Sequence, residues 1–268
     1  MNYQHSFHAG NFADVIKHLV YVYTIEYFQK KDTPLFILDT HGGCGLYDLL
    51  SEHAQKTQEA HYGVMKLNHL DSRHSLLNRY LSLIQPYLNQ NVYPGSPCFA
   101  AALLRKQDVL RVSELHPPVY ESLKEHTIGF KNIYVTLQDG YESMRAYLPP
   151  KEKRGIVLID PPYEIGNEFT LCAQSLKDAF KRFSQGTYII WYPIKDHHAV
   201  SHFKKSISSL SCEKLELTIE LLTPGFKDKL NKAGLLVLNP PYLLQENIQE
   251  LQSALEQVMA VNIDTRIL

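Results

Sequence analysis

From residue 35 onward, short runs of aliphatic and β-branched residues alternate with helical patterns, and this alternation constrains the fold more than any other feature. Strands are expected at Leu35–Leu38, Val109–Ser113, Ile133–Leu137, Ile156–Ile159, Thr187–Trp191, Leu215–Leu221 and Leu235–Leu238. Between them, helical periodicity covers Val119–His126, Tyr141–Leu148, Glu168–Phe183 and His197–Leu210. Near-continuous apolar strands separated by helices demand a mostly parallel sheet covered on both faces, hence an α/β fold. The last two strands are joined by a stretch too short for a helical crossover, so they are expected as an antiparallel hairpin.

The N-terminal part reads differently. Asn11, with Asp14 three residues on, is a helix N-cap with an acid in the first turn, and the apolar spacing carries that helix to about Gln29. Residues 47–91 are polar and helical in pattern, with no strand signal. Tyr93-Pro-Gly-Ser-Pro97 is a turn, with Ser96 expected as N-cap and Pro97 at the first position of a helix reaching about Lys106. This suggests a main domain built from residues 1–46 and 93–268, with residues 47–92 as an inserted helical subdomain.

Composition narrows the chemistry. With 44% apolar and 21% charged residues in 268, the chain supports a large core. No run approaches a membrane span, and the first residues have neither the basic start nor the apolar stretch of a signal peptide. The four cysteines are scattered and the thirteen histidines lack ligand spacing, so neither disulfides nor a metal is expected, and a cytoplasmic location is. A net charge of −1 argues against a surface that coats polyanions indiscriminately, leaving local clusters such as Lys177 with Lys181-Arg182, Lys204-Lys205, and Lys227 with Lys229 as candidate nucleic-acid contacts.

In parallel α/β sheets the ligand sits beyond the carboxyl ends of the strands. The residues after each strand therefore form a ring around one site. The first strand is followed by Asp39-Thr-His-Gly-Gly-Cys-Gly45, whose glycines allow close backbone approach. Glu114 follows the second, placed where an acid holds a ribose diol in dinucleotide folds. Asp139-Gly140 follows the third, with Asp139 an acceptor for an adenine amino group. The fourth ends in Asp160-Pro161-Pro162-Tyr163, whose carboxylate and Pro161 carbonyl suit the two hydrogens of a planar amino group while Tyr163 stacks on the ring. Asn239-Pro-Pro-Tyr242 is nearly the same motif, but by strand count it ends the hairpin, and it is read as a structural turn.

Asp-Pro-Pro-Tyr resembles the signature of S-adenosylmethionine-dependent methyltransferases acting on adenine, cytosine or glutamine nitrogens. Further segments make the resemblance specific: His5-Ser-Phe-His-Ala-Gly-Asn11, Lys17-His18, Leu38-Asp-Thr-His41, Ser51-Glu-His-Ala54, Tyr93-Pro-Gly-Ser-Pro97, Glu114-Leu-His-Pro117, Ile159-Asp-Pro-Pro-Tyr-Glu164 and Trp191-Tyr-Pro193. Together they are similar to the bacterial large-subunit (23S) ribosomal RNA adenine-N6 methyltransferases, a family also described as a competence-type DNA-utilisation protein. The similarity runs over almost the whole chain and is weakest from His61 to Asn91.

The resemblance implies a class I, Rossmann-like, seven-stranded methyltransferase with a small helical insertion. It implies S-adenosylmethionine contacts from His18, His41, Ser96, Glu114, Asp139, Gly140 and Asp160, with Asp160 as the catalytic acid. Tyr3, together with Pro161 and Tyr163, would meet the RNA, as free 23S RNA or an assembly intermediate. Competing structural readings stay open: His18 as a core helix histidine, Tyr3 as a bystander at the terminus, Ser96 as a cap, and Lys17 as either a partner of the methionine carboxylate or a helix-surface lysine. Alternative functions are a DNA adenine-N6 methyltransferase and a non-catalytic nucleic-acid binder for DNA uptake. A glutamine methyltransferase would require Asn239 to line the cofactor site.

Overall fold

The computed structural model describes residues 7–67, 74–222 and 230–268. Its centre is a sheet in the order β10-β8-β9-β7-β6-β1-β4-β5, with β1 at Phe36–Asp39, β4 at Val109–Glu114, β5 at Ile133–Leu137, β6 at Gly155–Ile159 and β7 at Thr187–Pro193. These five are mutually parallel. β8 (Lys214–Leu221) and β9 (Lys232–Leu238) pair antiparallel, and β9 inserts antiparallel beside β7. The strand order reverses between β1 and β6, which places the switch point there.

Alternation along each strand builds the two cores. In β6, Ile156 and Leu158 face one hydrophobic cluster while Val157 and Ile159 face the other. The first cluster packs under α1 (Phe12–Gln29), α5 (Ser96–Leu103) and α10 (Leu244–Met259). The second packs under α7 (Gly140–Tyr147), α8 (Glu168–Arg182) and α9 (His197–Ile207). α6 (Pro117–His126) flanks the β4–β5 edge.

Three expectations need correction. The sheet has eight strands, because β10 (Val261–Ile267) adds antiparallel to β8 beyond the seven anticipated. α10 was also unanticipated, although Leu244, Ile248, Leu251, Leu255 and Met259 line its buried face at helical spacing. The block from 47 to 91 is not purely helical. β2 (Leu46–Asp48) pairs antiparallel with β3 (Val92–Pro94) and brings the two ends of this block together. Inside that ribbon lie α2 (Glu52–Thr57), a 3-10 turn at Glu59–Tyr62, α3 (Val64–Leu67) and α4 (Ser75–Leu88). Leu77, Tyr80 and Ile84 of α4 join the same core as α1.

α1 begins where the sequence places it. The Asn11 carboxamide oxygen accepts from the backbone N–H groups of Ala13 and Asp14, at 3.0 and 2.9 Å. No helix among the described residues is long and apolar enough to cross a membrane.

Candidate active site

The carboxyl ends of the parallel strands place Asp39, Glu114, Asp139 and Asp160 along one rim. β1 and β6 are neighbours, so Asp39 and Asp160 flank the switch point. The loop after β1 is tied down on both sides. Thr40 is held to the carbonyl of Leu158 by its backbone N–H and its hydroxyl, each at 3.0 Å. Gly42 N–H donates to the Ser113 carbonyl at 2.9 Å, and Gly43 N–H to Glu114 Oε2 at 3.0 Å. Gly42 has to be glycine, because a Cβ there would lie 2.3 Å from Val112 Cγ1. Gly43 adopts φ +61°, and a Cβ would collide with the Tyr47 hydroxyl at 2.0 Å.

Glu114 accepts from Gly43 with one oxygen and from His116 N–H with the other, at 2.8 Å. Each carboxylate oxygen keeps a second lone pair, so the acid stays able to accept from a vicinal diol while bracing the loop. Asp139 caps α7 through Oδ1, which accepts from Tyr141 and Glu142 at 2.7 and 3.1 Å. Gly140 has a packing reason for its identity, since a Cβ would sit 2.2 Å from the Thr40 carbonyl oxygen. It lets the start of α7 close onto the β1 loop.

Asp39 is fully buried, and its carboxyl is pushed up to about 7 by that burial and by the charge of Asp160, against the opposing pull of the Ser96 hydrogen bond. Ser96 Oγ donates to Asp39 Oδ2 at 2.6 Å. Ser96 is thus not the N-cap expected: Gly95 occupies that place without a side-chain cap, and Ser96 opens the helix with its hydroxyl turned to β1. His41 is pushed down to about 4 by burial, although the carboxylates of Asp160 and Asp139 pull the other way. The imidazole is therefore neutral at physiological pH. Because the Thr40 hydroxyl donates to Leu158, its oxygen accepts from His41 Nδ1 at 2.7 Å, leaving Nε2 as an acceptor.

Lys17 is not a helix-surface lysine. It is 3% exposed and bridges Asp14 Oδ1 at 2.7 Å and Asp160 Oδ2 at 2.5 Å. Burial alone would lower its pKa, but the charges of Asp14 and Asp160 outweigh it and hold the ammonium above its ordinary value. Among the described residues no donor meets Asp160 Oδ1. That oxygen remains an acceptor on a side chain 16% exposed.

Not every expected contact falls at the rim. His18 is buried in the core, with Nδ1 2.7 Å from the Tyr93 hydroxyl and its ring 4.5 Å from that of Phe99. Tyr163 sits at φ +52°, its hydroxyl donating to the Trp191 carbonyl at 2.9 Å and its ring packed 4.6 Å from Phe169. It forms a half-buried wall of the loop after β6, anchored at its far end. Pro161 is buried beside Asp160. Tyr3, like Lys227 and Lys229, lies outside the described residues.

Asn239-Pro-Pro-Tyr242 lies at the opposite rim. β9 runs antiparallel to β7, and Leu238 pairs with Tyr188 near the start of β7. There the Asn239 side chain donates to the carbonyls of Ser184 and Gly186, both at 2.8 Å, and its own carbonyl accepts from Thr187 Oγ1.

The rim therefore offers four carboxylates against one buried lysine, together with a glycine loop and an acceptor for a diol. This donor set fits S-adenosylmethionine, whose sulfonium and ammonium are both cationic. Fold and site together define a class I S-adenosylmethionine-dependent methyltransferase. A family model described as "Ribosomal RNA large subunit methyltransferase D, RlmJ" matches residues 32–266. Two similar proteins carry the name "Ribosomal RNA large subunit methyltransferase J". The one from Haemophilus influenzae is 38% identical, over 94% of this chain and 91% of its own, and the one from Escherichia coli is 35% identical, over 92% and 90%. A crystal structure of a Legionella pneumophila protein superposes with a TM-score of 0.88 at 34% identity, covering 97% of this chain and 98% of that one. The chain belongs to the large-subunit ribosomal RNA methyltransferase J family.

Proposed function

We propose that this enzyme transfers a methyl group from S-adenosylmethionine to N6 of an adenosine in 23S ribosomal RNA, in the cytoplasm. The observation that carries this reading is Asp160-Pro-Pro-Tyr163 at the switch point, within the same rim as Glu114 and Asp139. The relatives' names supply the RNA class. When bound, the cofactor supplies an electrophilic methyl group, so the remaining task is to make a delocalised amino nitrogen nucleophilic.

Asp160 carries that task. Lys17 holds Oδ2, which fixes the carboxylate plane and leaves Oδ1 to accept one N6 hydrogen. The Pro161 carbonyl is the second acceptor, its direction restricted by Pro162, which confines the ψ of the residue before it. Two acceptors favour the tetrahedral nitrogen of the transition state and aim its lone pair in line. Glu114 would hold the ribose diol, Asp139 the cofactor's adenine, and Ser96 would keep Asp39 oriented beneath the loop; His41 and Gly140 border the same space. His18 would act from behind, through the packing of α1 on Tyr93 and Phe99.

The acceptor base must leave its stack to reach Asp160, which favours free RNA or an assembly intermediate over the finished subunit. Residues 47–92 form the RNA-facing subdomain in this reading, and Tyr3 would contribute an RNA contact. Supporting this, Phe7 stacks on His53 at 4.1 Å and His8 pairs with Glu59 at 2.9 Å, so the insertion grips the start of the described chain. The test is nucleoside mass spectrometry of RNA and DNA from a deletion strain, complemented by wild type or Asp160→Ala. Loss of N6-methyladenosine in 23S RNA alone, restored only by wild type, is expected. Loss confined to DNA would overturn the reading.

A further inference from the structure

One buried carboxylate near the site has no part in the scheme above. Glu168 opens α8, eight residues beyond Asp160, and is only 6% exposed. Its Oε1 accepts from the Tyr141 hydroxyl at 2.8 Å. Burying a carboxylate is costly unless it is hydrogen-bonded, and an apolar residue would fill this space at less cost. Core packing alone therefore does not account for the acid.

The placement of its partner does. Tyr141 directly follows Asp139-Gly140, donates its backbone N–H to Asp139 Oδ1, and sets its ring edge-on to His41 with centroids 5.4 Å apart. Tyr141 is thus part of the cofactor side of the rim. Glu168 terminates the acceptor loop, whose residues 164–167 are exposed. That loop is fastened upstream by the Tyr163 hydroxyl on Trp191 and downstream by Glu168 on Tyr141.

We propose that the Tyr141–Glu168 hydrogen bond is a positioning clamp, joining the cofactor-binding edge to the acceptor loop so that Asp160 and Pro161 keep their aim on the amino nitrogen. The proposal rests on the assignment of residues 160–163 as the acceptor grip. Neither Tyr141 nor Glu168 exchanges a proton with substrate in this role. Each acts through the loop.

The clamp is tested by single-turnover kinetics and cofactor titration on the intact enzyme. The substrates are S-adenosylmethionine and a transcribed 23S RNA fragment that wild type methylates. Tyr141→Phe keeps the ring and deletes the bond, so kcat should fall about tenfold while the cofactor Kd changes less than about twofold, the pattern of an interaction that matters most in the transition state. Glu168→Gln still accepts from the tyrosine and should restore near-wild-type turnover, whereas Glu168→Ala should match Tyr141→Phe. The double variant should be no slower than the slower single, since both break one bond. Unchanged kcat in Tyr141→Phe, or equal losses in Glu168→Gln and Glu168→Ala, would overturn the clamp. Asp160→Ala serves as the parallel control. If it stays active, the acceptor assignment itself has failed; if it is dead while Tyr141→Phe is normal, only the clamp has.

Discussion

Two nearly identical tetrapeptides, Asp160-Pro-Pro-Tyr163 and Asn239-Pro-Pro-Tyr242, end two strands of the same sheet and meet opposite fates. The first ends a parallel strand beside the switch point, where its acid faces a rim of polar groups. The second ends an antiparallel strand, so its asparagine arrives at the far rim and is consumed by the carbonyls of Ser184 and Gly186. The two motifs turn differently, since the left-handed residue is the last of the first tetrapeptide, Tyr163 at φ +52°, and the first of the second, Asn239 at φ +50°. Near-identity of sequence does not fix even the local backbone. Strand direction, a property of the whole sheet, decides which motif can do chemistry.

The largest effect is expected at Asp160. Asp160→Ala should slow methyl transfer by about three orders of magnitude or more, with a much smaller loss of cofactor affinity, read by single-turnover assay and calorimetry. If Asn239→Ala gave that result instead, the comparison would be inverted.

Lys17→Met comes next. It leaves Asp14 and Asp160 without their shared cation, and breaking a buried pair in this way costs about 3–5 kcal/mol. Denaturant titration would show the loss, and an unchanged midpoint would remove the ion pair from the account of why Asp160 is held in place.

Glu114→Ala should weaken S-adenosylmethionine binding by about 1–3 kcal/mol, as when hydrogen bonds to a charged group are lost. Because Glu114 also supports Gly43, thermal melts must accompany the calorimetry. Affinity equal to wild type would take Glu114 out of the site.

At the far rim the effect should be smaller and of another kind. Asn239→Ala deletes two hydrogen bonds and places alanine at a positive φ, costing about 1–2 kcal/mol of stability. Turnover per folded molecule should not change, and a selective loss of kcat would break the distinction between the rims.

The last effect concerns pH and is read as a slope rather than a single loss. Asp39 has its carboxyl raised from 3.8 to about 7 in the folded state, so the folded protein binds the extra proton between those values. The stability it contributes is complete below the unfolded value and is lost as pH rises toward about 7. Asp39→Asn should flatten that decline in a series of melts from pH 4 to 8, and an unaltered slope would refute the assignment.

Much of this was legible in the sequence because topology follows from strand order. Once the alternation had been read, the residues after each parallel strand had to share a rim, and Glu114, Asp139 and Asp160 do. Partnerships between distant positions were not legible. Lys17 and Asp160 are 143 residues apart, and nothing local in α1 marks Lys17 as buried. Ser96 follows a pattern that suits a cap, and only the fold reveals Asp39 as its partner, 57 residues away. The final strand was legible too: Val261, Ile263, Thr265 and Ile267 alternate with Asn262, Asp264 and Arg266, the period of a half-buried edge strand rather than of the continuous apolar runs at the sheet centre. α10 likewise had its periodicity in the sequence.

The packing of α1 against α10 carries a consequence for the order of events during synthesis. Tyr23 of α1 donates to the carbonyl of Tyr242, Asn247 donates to the Tyr23 hydroxyl, and the two helices share one core. A nascent chain that has emerged as far as residue 163 already contains Lys17 and Asp160, yet it lacks the wall that finishes the burial of α1. Until residues 244–259 leave the exit tunnel, the face of α1 that carries Tyr23 lacks its partner helix. Packing of the N-terminal helix is therefore completed by a late, long-range closure in a vectorially made polypeptide.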